Sequence, residues 1–177
     1  VNIERDVLDR LTQLAIRFYV TGSWALSVYA EPRMTRDLDL VVDLDAVTYE
    51  RMVRPEFERD YLVNDPIDVG GRWIGGLVHR VEIVRIDLMF GRQDGWARSA
   101  FERSAIVDHP GLGPTPMISA EDLILAKLDW SDGGRSELQM RDCRSIIRLA
   151  TDLDWDYLQR YAPILGVDRL LEGVRDG

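Results

Sequence analysis

Asp37 and Asp39 flank Leu38 in the run Asp37-Leu38-Asp39-Leu40-Val41-Val42, and a further acid stands between apolar neighbours in Val84-Arg85-Ile86-Asp87-Leu88-Met89. Successive side chains of a strand alternate faces, so Asp37 and Asp39 share one face while Leu38 and Leu40 enter the opposite layer. Two like charges that close repel each other. They are tolerated at a solvated strand end or around a divalent cation, and oxygen-only ligation suits magnesium. Asp87 supplies a third carboxylate. Three acids on adjacent strand ends can hold two magnesium ions about 3.5–4 Å apart, one activating an attacking hydroxyl and the other neutralising a nucleoside triphosphate and its departing pyrophosphate.

Upstream lies Tyr19-Val20-Thr21-Gly22-Ser23-Trp24. Backbone N–H groups at a helix start form a ready site for phosphate oxygens. Gly22 lets the chain approach a ligand closely, and the Ser23 hydroxyl adds a donor. Lys127 falls between Leu123, Ile124 and Trp130 on one face of a predicted helix, an uncomfortable place for an ammonium unless it reaches an anion. A nucleotide phosphate is one partner for it; Asp142 or a metal-site carboxylate is another.

Each of these residues has a plainer reading. Asp37 and Asp39 could cap a strand end beside Arg33 and Arg36, and Asp87 could form a surface ion pair. Arg33 and Thr35 could support the carboxylate strand or touch substrate. Trp73 could stack on a base or pack against the domain. His79 and His109 have no metal-ligand spacing, and Cys143 reads as a small buried apolar residue.

The elements that must position these groups follow from periodicity. Residues 4–17 read as an amphipathic helix, 18–21 as a short apolar strand, 24–30 as a helix ended by Pro32, 37–42 as a strand and 45–58 as a helix. The Gly-, Asp- and Pro-rich stretch 64–76 reads as a turn or mobile loop. Residues 77–88 are long enough for a strand pair or one bent strand, 94–103 look helical, 104–107 could form a strand, and 110–116 read as a Gly/Pro connection. From Ser119, an N-cap with an acid three residues on, the pattern is helical only: about 120–131, 136–150, 154–163 and 167–174. This predicts an α/β core over 1–116 and a helical part over 117–177.

The 177 residues suffice for one compact domain with a small helical appendage, and 46% hydrophobic with 30% charged residues is ordinary for a globular protein. The net charge of −9 gives no general attraction to phosphate backbones. A local basic surface remains open, because Arg33, Arg36, Arg72, His79, Arg80, Arg85 and Arg92 lie in the half of the chain that carries the carboxylates. The single cysteine excludes a disulfide framework and a cysteine-rich zinc site. No membrane span and no export signal are legible, so the cytoplasm is the expected compartment.

Taken together, Gly22-Ser23, Asp37-Leu38-Asp39-Leu40 and the later Ile86-Asp87-Leu88 resemble the signature of the polymerase-beta-like nucleotidyltransferase superfamily. Thr21-Gly22-Ser23-Trp24-Ala25-Leu26 and Pro32-Arg33-Met34-Thr35-Arg36-Asp37-Leu38-Asp39 are similar to small prokaryotic members, including abortive-infection and toxin-type nucleotidyltransferases. The resemblance continues through Ser119 to Leu128 and Arg141-Asp142. It departs at Ser145, where similar sequences often carry another Asp.

The resemblance implies an α+β fold: a short mixed β-sheet flanked by helices, followed by a helical C-terminal part. It implies that Gly22 and Ser23 bind the triphosphate and that Asp37 and Asp39 ligate both magnesium ions. Asp87 would ligate the catalytic ion and act as, or orient, the base for an acceptor hydroxyl. The expected acceptors are a tRNA end, a protein hydroxyl or an aminoglycoside-like small molecule. The alternatives are an inactive binding module of the same fold, a toxin neutralised by an antitoxin protein, and a metal-dependent phosphoesterase, which has less use for the Gly-Ser turn.

Overall fold

The computed structural model describes residues 2–176. Helix α1 (Ile3–Gln13) is capped by Asn2, whose side chain accepts the Arg5 N–H at 2.9 Å, and it buries Val7, Leu8 and Leu11. Strand β1 (Phe18–Val20) leads into helix α2 (Gly22–Tyr29) and strand β2 (Asp37–Val42). Helix α2 begins at Gly22 rather than at Trp24 as the sequence suggested, which places Gly22 and Ser23 in its first turn.

The helix expected over 45–58 is continuous but mixed. Helix α3 (Ala46–Thr48), capped by Asp45, runs through a π segment (Tyr49–Val53) into α4 (Arg54–Phe57). Pro55 has no N–H to return to the carbonyl of Arg51, and a widened turn ahead of it accommodates the loss.

Residues 64–76 are not the loop that their Gly, Asp and Pro content suggested. They belong to strands β3 (Tyr61–Val69) and β4 (Arg72–His79), an antiparallel hairpin. Gly70 and Gly71 turn the chain with φ of +64° and +83°, the positive angles a two-residue hairpin turn needs. Asp65 and Pro66 sit where the register shifts between Asn64 and Ile67, and β3 is an edge strand, where a missing N–H is tolerated.

Strand β5 (Arg85–Phe90) is followed by helix α5 (Gly95–Arg103) and by strands β6 (Ala105–His109) and β7 (Gly113–Met117). The Gly/Pro connection expected over 110–116 is therefore largely strand as well. Pro114 and Pro116, two apart, lose N–H groups on the same side of β7, and β7 meets β1 at a single register pair, Val20 with Met117.

The seven strands form one mixed sheet in the order β3-β4-β5-β2-β1-β7-β6, with β2 parallel to β5 and antiparallel to β1. Helices α6 (Ala120–Asp129), α7 (Glu137–Leu149), α8 (Trp155–Leu165) and α9 (Asp168–Arg175) follow. Leu38, Leu40 and Val42 of β2 and Ile86, Leu88 and Phe90 of β5 are buried, in one cluster with Leu123, Ile124 and Leu128 of α6. Each such side chain contributes about 2 kcal/mol by leaving water. A one-residue slip of β2 would put its carboxylates in that core, so burial fixes which face they occupy.

Candidate active site

The two central parallel strands place the acids. Asp39 is the register partner of Asp87, and Asp37 is the partner of Arg85, so Asp37, Asp39 and Asp87 stand on one sheet face on strands about 4.8 Å apart. Asp37 is exposed, while Asp39 and Asp87 are half-buried.

The Gly-Ser turn touches this group directly. Gly22 has φ +62°, and a Cβ built on it would lie 1.9 Å from Oδ2 of Asp39. The Ser23 backbone is close enough to the Asp39 carboxylate to favour its charged form, and the Thr21 N–H donates to the Asp39 carbonyl at 3.0 Å. The first turn of α2 thus lies against the Asp39 carboxylate, with the N–H groups of a helix start beside it. Burial pushes the Asp39 carboxyl up to about 6; Asp87 and Asp37 add to the rise, while Lys127 and the Ser23 backbone oppose it.

Lys127 is 5% exposed, and its Nζ donates to Oδ2 of Asp142 at 2.9 Å and to Oε1 of Gln139 at 3.1 Å. Of the partners that its sequence position allowed, Asp142 is the one in contact. The pair ties α6 to α7. Arg33 approaches the same carboxylate, with Nε 3.5 Å from Oδ2. Arg33 therefore stands beside Asp142, not beside the carboxylate strand it precedes.

Thr21, Gly22, Asp39, Asp87 and Lys127 line one cleft of about 340 Å³. Asp37 and Ser23 are outside its wall, Asp37 at the exposed start of β2 and Ser23 buried beneath the turn. The same cleft is also lined by Arg72 and Arg92, which the sequence offered only as part of a local basic surface, and by Asp129 and Trp130, for which it suggested no role. Arg72 and Arg92 both donate to Oδ2 of Asp129, at 2.5 and 2.9 Å. Arg72 lies over the Trp130 ring and Arg92 over the Trp96 ring, 4.2 and 5.0 Å from the centroids. Asp129 and Trp130 directly follow Lys127-Leu128, but their partners come from β4 and from the turn after β5, which only strand pairing reveals.

The all-oxygen donor set of Asp37, Asp39 and Asp87 suits magnesium. Among the described residues, however, no group of three His, Cys, Asp or Glu side chains is arranged to hold a metal ion. Oδ1 of Asp87 instead accepts from Nε of Arg85 at 2.8 Å.

The remaining candidates make contacts within the fold. Trp73 packs against Gly91, where an added Cβ would meet its ring at 2.6 Å. Cys143 is fully buried, and burial pushes its thiol up to about 12. His79 accepts from the Glu82 N–H, and His109 is bonded to the Ser27 hydroxyl. No helix among the described residues is long and apolar enough to cross a membrane.

No family profile and no curated protein sequence matches the chain. Solved structures do. An antigenic nucleotidyltransferase-like protein from Paracoccidioides brasiliensis superposes with a TM-score of 0.58 at 17% identity, over 96% of this chain and 90% of its own. A nucleotidyltransferase candidate from Thermotoga maritima gives 0.56 at 18% identity, over 78% and 89%. The antibiotic-resistance factor ANT(2″)-Ia, solved in complex with adenylyl-2″-tobramycin, gives 0.54 at 14% identity, over 98% and 95%. With its mixed seven-stranded sheet and its helices, the chain has the nucleotidyltransferase fold.

Proposed function

We propose that this chain is a magnesium-dependent nucleotidyltransferase that moves a nucleoside monophosphate from a nucleoside triphosphate to an acceptor hydroxyl and releases pyrophosphate. The observation that carries this reading is the contact between the Gly22-Ser23 turn and Asp39, with Asp87 directly across on β5. A helix start and two carboxylates on neighbouring strands suit a polyphosphate whose charge is shared between N–H donors and cations.

In this reading Asp37, Asp39 and Asp87 hold two magnesium ions. When bound, these lower the pKa of the attacking hydroxyl and offset the charge that builds on the leaving pyrophosphate. The N–H groups of Gly22 and Ser23, beside the Asp39 carboxylate, bind and orient the triphosphate. Lys127, at the cleft wall and within electrostatic reach of Asp39, adds a positive charge opposite. Asp87 accepts, or orients the group that accepts, the acceptor's proton. The helix start and the lysine argue for nucleotidyl transfer over simple phosphoester hydrolysis, which needs neither.

The net charge of −9 weighs against a large RNA acceptor, and the tobramycin adduct in one structural relative makes an aminoglycoside-like molecule a reasonable first acceptor to try. A tRNA end and a protein hydroxyl are the other two. A cytoplasmic setting would supply triphosphate and magnesium. The toxin reading is distinguished by growth arrest on expression that depends on Asp39 and is relieved by a co-expressed neighbour protein.

The experiment is to incubate the protein with each alpha-labelled nucleoside triphosphate, magnesium, and in turn an aminoglycoside panel, total RNA and protein lysate. Label in one fraction identifies the acceptor class. A protein that labels nothing and releases no pyrophosphate is the inactive module.

A further inference from the structure

Arg85 stands at the start of β5, next to the carboxylate group. It is the register partner of Asp37, precedes Asp87 by two residues on the same strand face, and donates from Nε to Oδ1 of Asp87 at 2.8 Å. Its side chain is 56% exposed against 20% for Asp87, and this bond to Asp87 is the one hydrogen bond its guanidinium makes among the described residues. A long, exposed side chain held by one contact can swing away at little cost. The cations that line the cleft are held differently: Arg72 and Arg92 are fixed on Asp129 and over tryptophan rings, and Lys127 is buried on Asp142.

We infer that Arg85 is the resident counter-ion of the carboxylate group, and that the three acids assemble into a metal site only when the Arg85–Asp87 pair opens. The inference rests on the nucleotidyltransferase reading of Asp37, Asp39 and Asp87. It gives a physical account of the arrangement of this face. Asp39 and Asp87 are register partners with Asp37 two residues along the same face, yet no three acids gather around a shared cation site among the described residues, and Asp87 is bonded to Arg85 instead. A divalent ion competes with the guanidinium for the same carboxylate oxygen, so Arg85 weakens metal binding in the absence of nucleotide. Its guanidinium, once released, carries the fork of N–H donors that suits phosphate oxygens. Arg85 is a positioning residue: it acts on the metal through Asp87.

The test is a titration with Mn²⁺ in the absence of nucleotide, read by calorimetry and by the electron paramagnetic resonance of the free ion. Wild type is compared with Arg85→Met, Arg85→Lys and Arg36→Met. Arg36 is exposed and precedes Asp37, but it forms no ion pair among the described residues, so Arg36→Met removes the same charge without opening a pair. Arg85→Met should tighten Mn²⁺ binding about two- to fivefold, the range an exposed ion pair can supply. Arg85→Lys, which keeps the charge but loses the guanidinium geometry, should fall between it and wild type, and Arg36→Met should stay close to wild type. Unchanged or weaker affinity in both folded Arg85 variants would overturn the inference, as would equal tightening in Arg36→Met, which would make the effect one of general charge. Wild-type protein that binds no Mn²⁺ even with nucleotide present would overturn the metal reading itself, and this inference with it.

Discussion

Gly22 and Asp39 occupy one space: a side chain on the first would coincide with the carboxylate of the second, 1.9 Å from Oδ2. The left-handed backbone of Gly22, φ +62°, and the inward pose of Asp39 therefore depend on each other. Glycine is required there on two grounds, the steric cost of that conformation for any other residue and the missing room for a Cβ.

Gly22→Ala should cost about 1–2 kcal/mol in backbone strain alone and should displace Asp39. Urea unfolding checks the first effect. The second should appear as loss of transfer activity beyond about a hundredfold, because a carboxylate that holds a reacting centre tolerates little misplacement. Normal activity in a stably folded Gly22→Ala protein would show that the contact has no part in catalysis.

The raised Asp39 carboxyl makes a statement about stability and pH. An acid with an ordinary value of 3.8 that sits near 6 in the fold favours folding when protonated. The stability it contributes in acid is lost as pH climbs from about 4 through 6, and above 6 the full cost of the buried charge applies, at most about 3 kcal/mol. Asp39→Asn should therefore melt higher than wild type at pH 7.5, with little difference at pH 4, while abolishing transfer. Added magnesium should raise the melting temperature of wild type at pH 7.5 and leave Asp39→Asn nearly unmoved. A variant that melts lower at pH 7.5 would contradict this.

Lys127 and Asp142 form a buried pair, 5% and 4% exposed at their side chains. Removing one partner strands the other charge, so Lys127→Met should cost about 3–5 kcal/mol, and the double change Lys127→Met with Asp142→Leu should recover most of it. Chemical denaturation of the single and double variants measures the difference. If Lys127 also serves the triphosphate, the stable double variant should remain poorly active, with an elevated KM for nucleotide. Full activity in the double variant would confine Lys127 to architecture.

The parts of this site legible in the sequence were those fixed by strand alternation. The faces of Asp37, Asp39 and Asp87 follow from Leu38, Leu40, Ile86 and Leu88, because burying those four side chains leaves the acids no other side. The Ser119 cap was legible for a local reason too: its hydroxyl accepts the Asp122 N–H at 3.1 Å within the same turn. Strands β3 and β7 were not, because Pro66, Pro114 and Pro116 carry the composition of loops. They are tolerated where β3 is an edge with a register shift and where β7 barely meets β1. The bridge from Arg72 and Arg92 to Asp129, and the turn of Asp87 toward Arg85, depend on which strands lie side by side and on rotamer choice, and spacing along the chain encodes neither.

The central claim is that the Gly22-Ser23 turn and the three aspartates transfer a nucleotidyl group. Its most direct test is a paired incubation with alpha-labelled and gamma-labelled nucleoside triphosphate in the presence of magnesium and the acceptor fractions, using wild type, Asp37→Ala and Asp39→Ala. Covalent uptake of the alpha label alone, with matching release of pyrophosphate by wild type and loss of both in each variant, is the predicted result. Uptake of the gamma label, or activity in the variants equal to wild type, would contradict it.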